Sequence, residues 1–316
     1  MTLSDHVRIL GRGPGRSRDL TQDEAEAAMQ LMLSGDAAPE AIGALLMLLR
    51  MKGETPAEIA GFAQGATASV LALPPVDLDW PSYAAGRTRG APWFLLSARL
   101  VARAGHRVLL HGWNGSDPTV RAGLAEAGIG MADTPDAAAR LLDRDGIAYL
   151  PLENLAPALF ALLRLREVLG LRSCVNTVCR MLNPARAEAS VQGVFHPSYR
   201  ALQADAAALL GWRALSVLKG AGGEFEVNPA KEIAVEGLRA KERWNGTCDA
   251  TLDETRRMAS PDAPALHDLW QARASADFET RLVIATAALA LETLGEANAA
   301  RQAETLWQDR GTRHAA

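Results

Sequence analysis

Residues 107–150, RVLLHGWNGSDPTVRAGLAEAGIGMADTPDAAARLLDRDGIAYL, alternate short apolar runs with helical stretches. Residues 107–111 (RVLLH) read as a strand, and Asp117-Pro118 opens a helix that stops near Gly128. Residues 129–131 form a candidate strand, Thr134-Pro135-Asp136 caps the next helix, and 147–150 is a further strand. Strands separated by helices of about ten residues predict βαβ units and a parallel sheet.

Outward from this block the rhythm changes. The first 75 residues read as helices. Thr21-Gln-Asp-Glu24 is a capping box, in which hydroxyl and carboxylate satisfy free amides of a first turn. Residues 40–50 are apolar nearly all round (Ile42, Leu45, Leu46, Met47, Leu48, Leu49), so this helix is expected to be covered on several sides, with a partner subunit as one cover. Thr55-Pro56-Ala57-Glu58 repeats the start signal for a helix to about Leu73, and Pro74-Pro75 marks a linker. On the other side, 155–183 return to helix, His196-Pro197 starts a helix ending at Gly211, 214–218 is a strand, and the tail from about 262 is mostly helical. Helical stretches flanking an α/β block predict a small helical domain from 1–75 with about 153–188. The remainder, 76–152 with 189–316, forms a larger α/β domain.

At 316 residues the chain is long enough for about two domains. Its 48% hydrophobic and 22% charged residues suit a folded chain and exclude global disorder. No run approaches ~20 apolar residues, so no membrane partner is expected. The N-terminus MTLSDHVRILGRG lacks the apolar core of a signal peptide. Cys174, Cys179 and Cys248 form neither an even framework nor a metal spacing, so cytosol is the expected compartment.

The net charge of −4 excludes a global basic footprint, but the distribution is uneven. Residues 80–121 hold Arg87, Arg89, Arg99, Arg103, Arg107 and Arg121 against one acid, Asp117. Residues 160–186 hold Arg164, Arg166, Arg172, Arg180 and Arg186 against Glu167. Guanidinium groups suit planar, bidentate contact with phosphate, although codon bias in a GC-rich genome also produces arginine in place of lysine.

Several motifs carry possible chemistry. Gly11-Arg-Gly13-Pro-Gly15 follows no strand and contains a proline without an amide donor, so a flexible loop is the better reading than a phosphate cradle. Ala85-Gly86-Arg87-Thr88-Arg89-Gly90 is either a solvated loop or a phosphate grip at the end of a sheet. His111-Gly112 ends a strand, where the imidazole is a candidate general base or phosphate donor, or a structural histidine. Arg172 and Asn176 open one helix and Asn183 closes it. They are candidates to meet a ligand in an interdomain cleft, with capping as the alternative for Asn183. Lys219-Gly-Ala-Gly-Gly-Glu-Phe-Glu226 follows a strand, and its two glutamates are a weak Mg²⁺ pair because Phe225 separates them. Trp80, Trp93 and Trp113 lie in the arginine-rich block, as core residues or as stacking platforms for unpaired bases.

The helical stretch DLTQDEAEAAMQLMLSGDAAPEAIGALLMLLRMKGETPAEIAGFAQG and the run RSCVNTVCRMLNPARAEASVQGVFHP from Arg172 resemble the anthranilate phosphoribosyltransferase superfamily. The resemblance implies a class III nucleoside-phosphorylase/phosphoribosyltransferase fold, with a small α-domain, a larger α/β domain with a mostly parallel sheet, and a homodimer through the N-terminal helices. His111, Gly112, Arg172, Asn176, Asn183 and Glu226 carry over. The other motifs depart. The family's Gly-Thr-Gly-Gly-Asp loop falls on the stretch from Ser82 to Arg87, its Asn-x-Ser-Thr on 92–95 (PWFL), and its Asp-Glu pair on Phe225-Glu226. Proline and leucine supply no hydroxyl, and a diphosphate leaving group needs charge neutralisation. Ordinary anthranilate transfer is therefore not expected, and Mg²⁺ enters only if some transferase activity persists. The Tyr83-x-x-Gly86-Arg87-x-Arg89 loop, the HPSYR stretch and the KGAGGE loop look closest to the YbiB-like branch, which implies nucleic-acid binding with little sequence preference. The expected phosphate contacts are Arg87, Arg89, Arg99, Arg103 and Lys219. The expected cleft ligands are Tyr83, Gly86, His111, Gly112, Arg172, Asn176 and Asn183, with His111 and Arg172 as the catalytic candidates if the chain is a glycosyl or phosphoribosyl transferase.

Overall fold

The computed structural model describes residues 1–84, 90–220, 222–253 and 263–311. It opens with four helices, α1 (Leu3–Gly11), α2 (Gln22–Leu33), α3 (Pro39–Lys52) and α4 (Pro56–Thr67). Both expected capping boxes form. The Thr21 hydroxyl accepts from the Glu24 amide at 3.2 Å and the Glu24 carboxylate from the Thr21 amide at 2.9 Å. The second does more. Glu58 is fully buried and accepts from the Thr55 amide at 2.9 Å, the Leu20 amide at 3.0 Å and Lys52 Nζ at 2.7 Å, so one cap ties three segments together. α4 ends at Thr67, short of the expected Leu73, with residues beyond it in turn and irregular chain. On α3, Leu45, Leu46 and Leu49 are buried while Ile42, Met47 and Leu48 are only half-buried within one chain.

The α/β part runs β1 (Leu78–Ser82), α5 (Phe94–Arg103), β2 (Val108–Gly112), α6 (Thr119–Ala127), α7 (Pro135–Asp145) and β3 (Ile147–Pro151). The chain then returns to the helical part through α8 (Leu152–Leu155), α9 (Pro157–Arg164), α10 (Arg166–Leu169) and α11 (Val175–Arg180). It re-enters the sheet with β4 (Ala189–Val194), α12 (Ser198–Leu209), β5 (Ala214–Lys219), β6 (Ile233–Arg239) and β7 (Glu242–Cys248), and ends in α13 (Leu266–Trp270), α14 (Asp277–Leu294), α15 (Ala299–Gln308) and a 3₁₀ turn at Asp309–Gly311. The helical residues within 155–183 fall into two stretches, α9–α10 and α11, as the sequence reads them. Gly170 adopts a left-handed φ of 69° after α10, which ends that helix and redirects the chain into α11. Residues 129–131 contribute only a bridge from Met131 to Tyr149 rather than a strand.

The seven strands lie in the order β3-β2-β1-β4-β5-β6-β7. β1 to β5 are parallel, and β6 and β7 add an antiparallel edge. Side chains alternate between two apolar layers: Leu109 faces the layer shared with the helical bundle, while Val108 and Leu110 face the layer under α5 and α14. Trp80 and Trp93 are fully buried in that second layer, which overturns the base-stacking reading for both. Trp113 is half-buried edge-on against Phe160. Among the described residues, no helix is long and apolar enough to cross a membrane.

Candidate functional site

Chain order reverses between β1 and β4, and open α/β sheets seat ligands outside the strand ends at such a point. Here α11 and the β4–α12 segment frame a cleft of about 590 Å³, lined by Arg50, Arg166, Arg172, Asn176, Arg180, Phe195, His196 and Tyr199 among others. Arg50 comes from α3, so both parts of the molecule contribute. Tyr199 on α12 donates to the Glu54 carboxylate at 3.2 Å across the same junction, and burial beside that carboxylate pushes the phenol up to about 12.

Arg180 forms the floor. Its Nε donates to the Gly193 carbonyl at 3.0 Å, Nη1 to the Asn176 carbonyl at 2.9 Å and Nη2 to the Tyr83 carbonyl at 2.9 Å. It joins the end of β1 to α11 and β4, and its donors face the protein rather than a ligand. Arg166 and Asn176 differ. Arg166 Nη1 and Asn176 Nδ2 are buried and find no hydrogen-bond partner among the described residues. Buried donors without acceptors are costly, by about 1–3 kcal/mol and more for a charged group, and both belong to residues that line the cleft. Phe195, His196 and Tyr199 form an aromatic run beside them, with ring centroids 4.9 and 6.4 Å apart.

The structure divides the expected cleft residues. Arg172 and Asn176 line the cleft. His111 does not. It is fully buried, its Nδ1 paired with the Tyr83 hydroxyl at 2.8 Å and its Nε2 with Asp79 Oδ1 at 3.1 Å, so neither nitrogen faces a ligand. Tyr83 is likewise buried, and burial raises its phenol well above the ordinary range. Gly112 is packed so tightly on β1 that a Cβ there would sit 1.9 Å from the Ser82 carbonyl oxygen. Asn183 caps its own loop: its amide donates to the Ala187 carbonyl and accepts from the Ala187 amide, both at 2.8 Å, at a left-handed φ of 38°. These four are corrections to the expected cleft.

The arginines expected to track phosphate separate too. Arg99 donates to the Ala127 carbonyl at 2.7 Å and lies 4.1 Å over the Trp270 ring, which makes it a helix cap and a packing residue. Arg103 reaches the Asp309 carbonyl at 3.2 Å. Neither lines the cleft. Lys219 is exposed at the end of β5. Gly86, Arg87 and Arg89 lie outside the described residues.

Sequence reading missed the buried polar lattice beneath the cleft. Ser190 donates to Asp79 Oδ2 at 2.8 Å, and Gln192 Nε2 to the Arg180 carbonyl at 2.8 Å. Glu224 accepts from Ser82, Ala84 and Asn114, and Glu226 from the Phe94 amide at 3.0 Å. Burial pushes both carboxyls up, Glu226 to about 8. Carboxylates turned inward onto protein donors do not suit Mg²⁺, which needs open oxygen ligands. Among the described residues, no cluster of three His, Cys, Asp or Glu side chains is placed to hold a metal ion. The only signal for this lattice in the sequence was the polarity of residues inside strand-length segments.

The profile of the glycosyl transferase family helical bundle domain matches residues 5–69, and that of the family's a/b domain matches 95–306. The chain belongs to the glycosyl transferase family. It is 32% identical to the anthranilate phosphoribosyltransferase of Myxococcus xanthus over 313 residues, covering 93% of this chain and 90% of that protein. It is also 32% identical to that of Symbiobacterium thermophilum over 238 residues, covering 74% and 70%. In fold it is similar to the Thermus thermophilus anthranilate phosphoribosyltransferase (TM-score 0.79, 22% identity, 98% of this chain and 95% of that one). The Saccharomyces cerevisiae enzyme in complex with PRPP and Mg is similar at TM-score 0.78 and 16% identity, covering 98% and 94%. The helical domain followed by a mostly parallel sheet is the architecture of these TrpD-like relatives.

Proposed function

We propose that this family member binds single-stranded nucleic acid through the arginine-lined cleft, with little sequence preference and without metal-dependent transfer. The observation that carries the reading is the pair of buried, acceptor-less donors, Arg166 Nη1 and Asn176 Nδ2, on a cleft also lined by Arg50 and Arg172. Phosphate oxygens satisfy such donors, and the Phe195–His196–Tyr199 run offers stacking faces that accept any base. The likeness of the HPSYR and KGAGGE stretches to the YbiB-like branch supports the same reading. Arg87, Arg89 and Lys219 are further candidate phosphate contacts in this proposal, and a second copy of the chain, joined through the N-terminal helices, presents a second cleft.

The test is fluorescence anisotropy with labelled single-stranded oligonucleotides. Tight binding at low salt, weakened at least tenfold in Arg166→Glu/Arg172→Glu and reduced in Arg87→Glu/Arg89→Glu, is expected. No binding of the parent protein at low salt overturns the reading. Light scattering is expected to give twice the 33.6 kDa chain mass.

One observation favours a second reading. Arg172 and Asn176 line the cleft in a chain whose relatives are named anthranilate phosphoribosyltransferase. Pentosyl transfer to another acceptor requires the chain to bind phosphoribosyl diphosphate. Calorimetric titration with and without Mg²⁺ decides it, and absence of heat in both arms removes it.

A further inference from the structure

Gln203 lines the arginine cleft and is only 1% exposed. Its buried companions on α12 are Ala204, Ala206 and Ala207. A glutamine among alanines is costly to bury unless its amide is paired, yet Gln203 Oε1 finds no hydrogen-bond partner among the described residues. The cleft therefore holds an empty acceptor beside the empty donors of Arg166 and Asn176. A phosphodiester fills the donors, because its oxygens accept. It leaves Gln203 Oε1 empty, because that oxygen needs an N–H or O–H.

Depth sorts these groups. Arg50 is exposed, Arg166 and Arg172 are half-buried and Gln203 is buried. Tyr199 stands one turn before Gln203 on α12, and residues four apart share a helix face. The Tyr199 hydroxyl is held by Glu54, so what it offers the cleft is its ring. Cations towards solvent, then an aromatic ring, then a buried amide match a nucleotide that enters base first and leaves its phosphate outermost. An amide carries a donor beside an acceptor and meets either order on its partner by turning over. Every nucleobase has an N–H next to an acceptor on its Watson–Crick edge, so this pairing holds a base without choosing among the four.

We propose that Gln203 is a base-recognition residue: the cleft takes one unpaired nucleobase edge-first against the Gln203 amide, with the neighbouring phosphate at Arg166 and Arg172. The proposal rests on the nucleic-acid reading of this cleft and gives it a reason to favour single strands. In a duplex the Watson–Crick N–H is committed to the opposite base, and the oxygen of Gln203 stays empty.

The experiment is fluorescence anisotropy with two labelled strands, oligothymidylate and the same strand methylated at every thymine N3. Methylation keeps the phosphates and ring faces and removes the N–H of the base. The parent is expected to bind the plain strand at least fivefold tighter than the methylated one. Gln203→Met keeps the side-chain length without the amide. It is expected to bind the plain strand at least fivefold more weakly than the parent, to bind both strands equally, and to keep the parent's salt slope because no phosphate contact is lost. Equal parent affinities for the two strands overturn the proposal and leave the nucleic-acid reading standing. So does parent-like affinity of Gln203→Met for the plain strand, or a methylation penalty that survives in that variant. No binding of either strand to the parent at low salt removes both. Should Gln203→Met fail to fold, the parent's two affinities decide.

Discussion

Glu226 shows how a single buried residue reports on the whole stability curve. Its carboxyl is pushed from 4.5 up to about 8 by burial, against the opposing effect of the Phe94 amide that donates to it. The folded state therefore holds a proton that the unfolded chain releases from about pH 4.5 upward. Stability from this group is fully present below that pH and is lost as pH rises toward 8, with a slope of at most about 1.4 kcal/mol per pH unit. Glu226→Gln keeps an acceptor for Phe94 and cannot ionise. Urea denaturation of both proteins between pH 5 and 8 is expected to show the parent losing stability relative to the variant as pH rises. Parallel curves would refute the raised carboxyl. At this scale the sequence was half legible. Arg172 and Asn176 were read at the cleft and line it, because their positions at a helix start are local facts. His111 was read there too, at the correct strand end. What hid its role is that Asp79 lies on the neighbouring strand β1 and Tyr83 just after it, and no spacing along the chain encodes that pairing.

Elements were legible where their chemistry is local. Capping boxes, the Gly128 stop, the Thr134 cap and the apolar strands β2, β3 and β5 all read directly. β1 and β4 did not. β1 carries Pro81 in a strand paired on both sides, where proline ordinarily argues against a strand. β4 is polar at Ser190 and Gln192 because those side chains reach Asp79 and Arg180. The residues that build the lattice are the ones that disguise the strand. Two element contacts yield predictions. A Cβ on Gly61 of α4 would lie 2.1 Å from the Gln22 carbonyl oxygen of α2. Alanine gains about 1 kcal/mol in helix propensity, but forcing the helices apart costs roughly 1–3 kcal/mol and here displaces backbone. Gly61→Ala is expected to lower unfolding free energy, and a stabilised variant in thermal denaturation would contradict the close approach. Arg180 holds β1, α11 and β4 by three carbonyls. Lysine keeps the charge but loses the fork, so Arg180→Lys is expected to cost about 3 kcal/mol in urea denaturation. A loss below about 1 kcal/mol would show that the three bonds are replaceable.

For the whole molecule, charge is a matter of place rather than sum. The chain carries a net −4, yet Arg50, Arg166 and Arg172 meet at one cleft between its two parts. A low-dielectric cleft focuses the field of the charges lining it, so a backbone phosphate entering it responds to those three guanidiniums more than to the net charge. Counterion release then gives a definite number. Single-stranded binding loses affinity with salt at a log–log slope of about −0.7 per phosphate neutralised, hence about −2 for three. Arg166→Glu/Arg172→Glu is expected to flatten that slope to about −0.7 or shallower and weaken binding at low salt. The control is Arg144→Glu/Arg301→Glu, which changes the net charge by the same amount at exposed positions on α7 and α15. Its slope is expected to stay near the parent's. If both pairs flatten the slope equally, binding follows overall charge and the cleft loses its assigned role. If only the first pair does, the surface that the sheet's switch point and the helical domain build together is the one that reads the phosphate backbone.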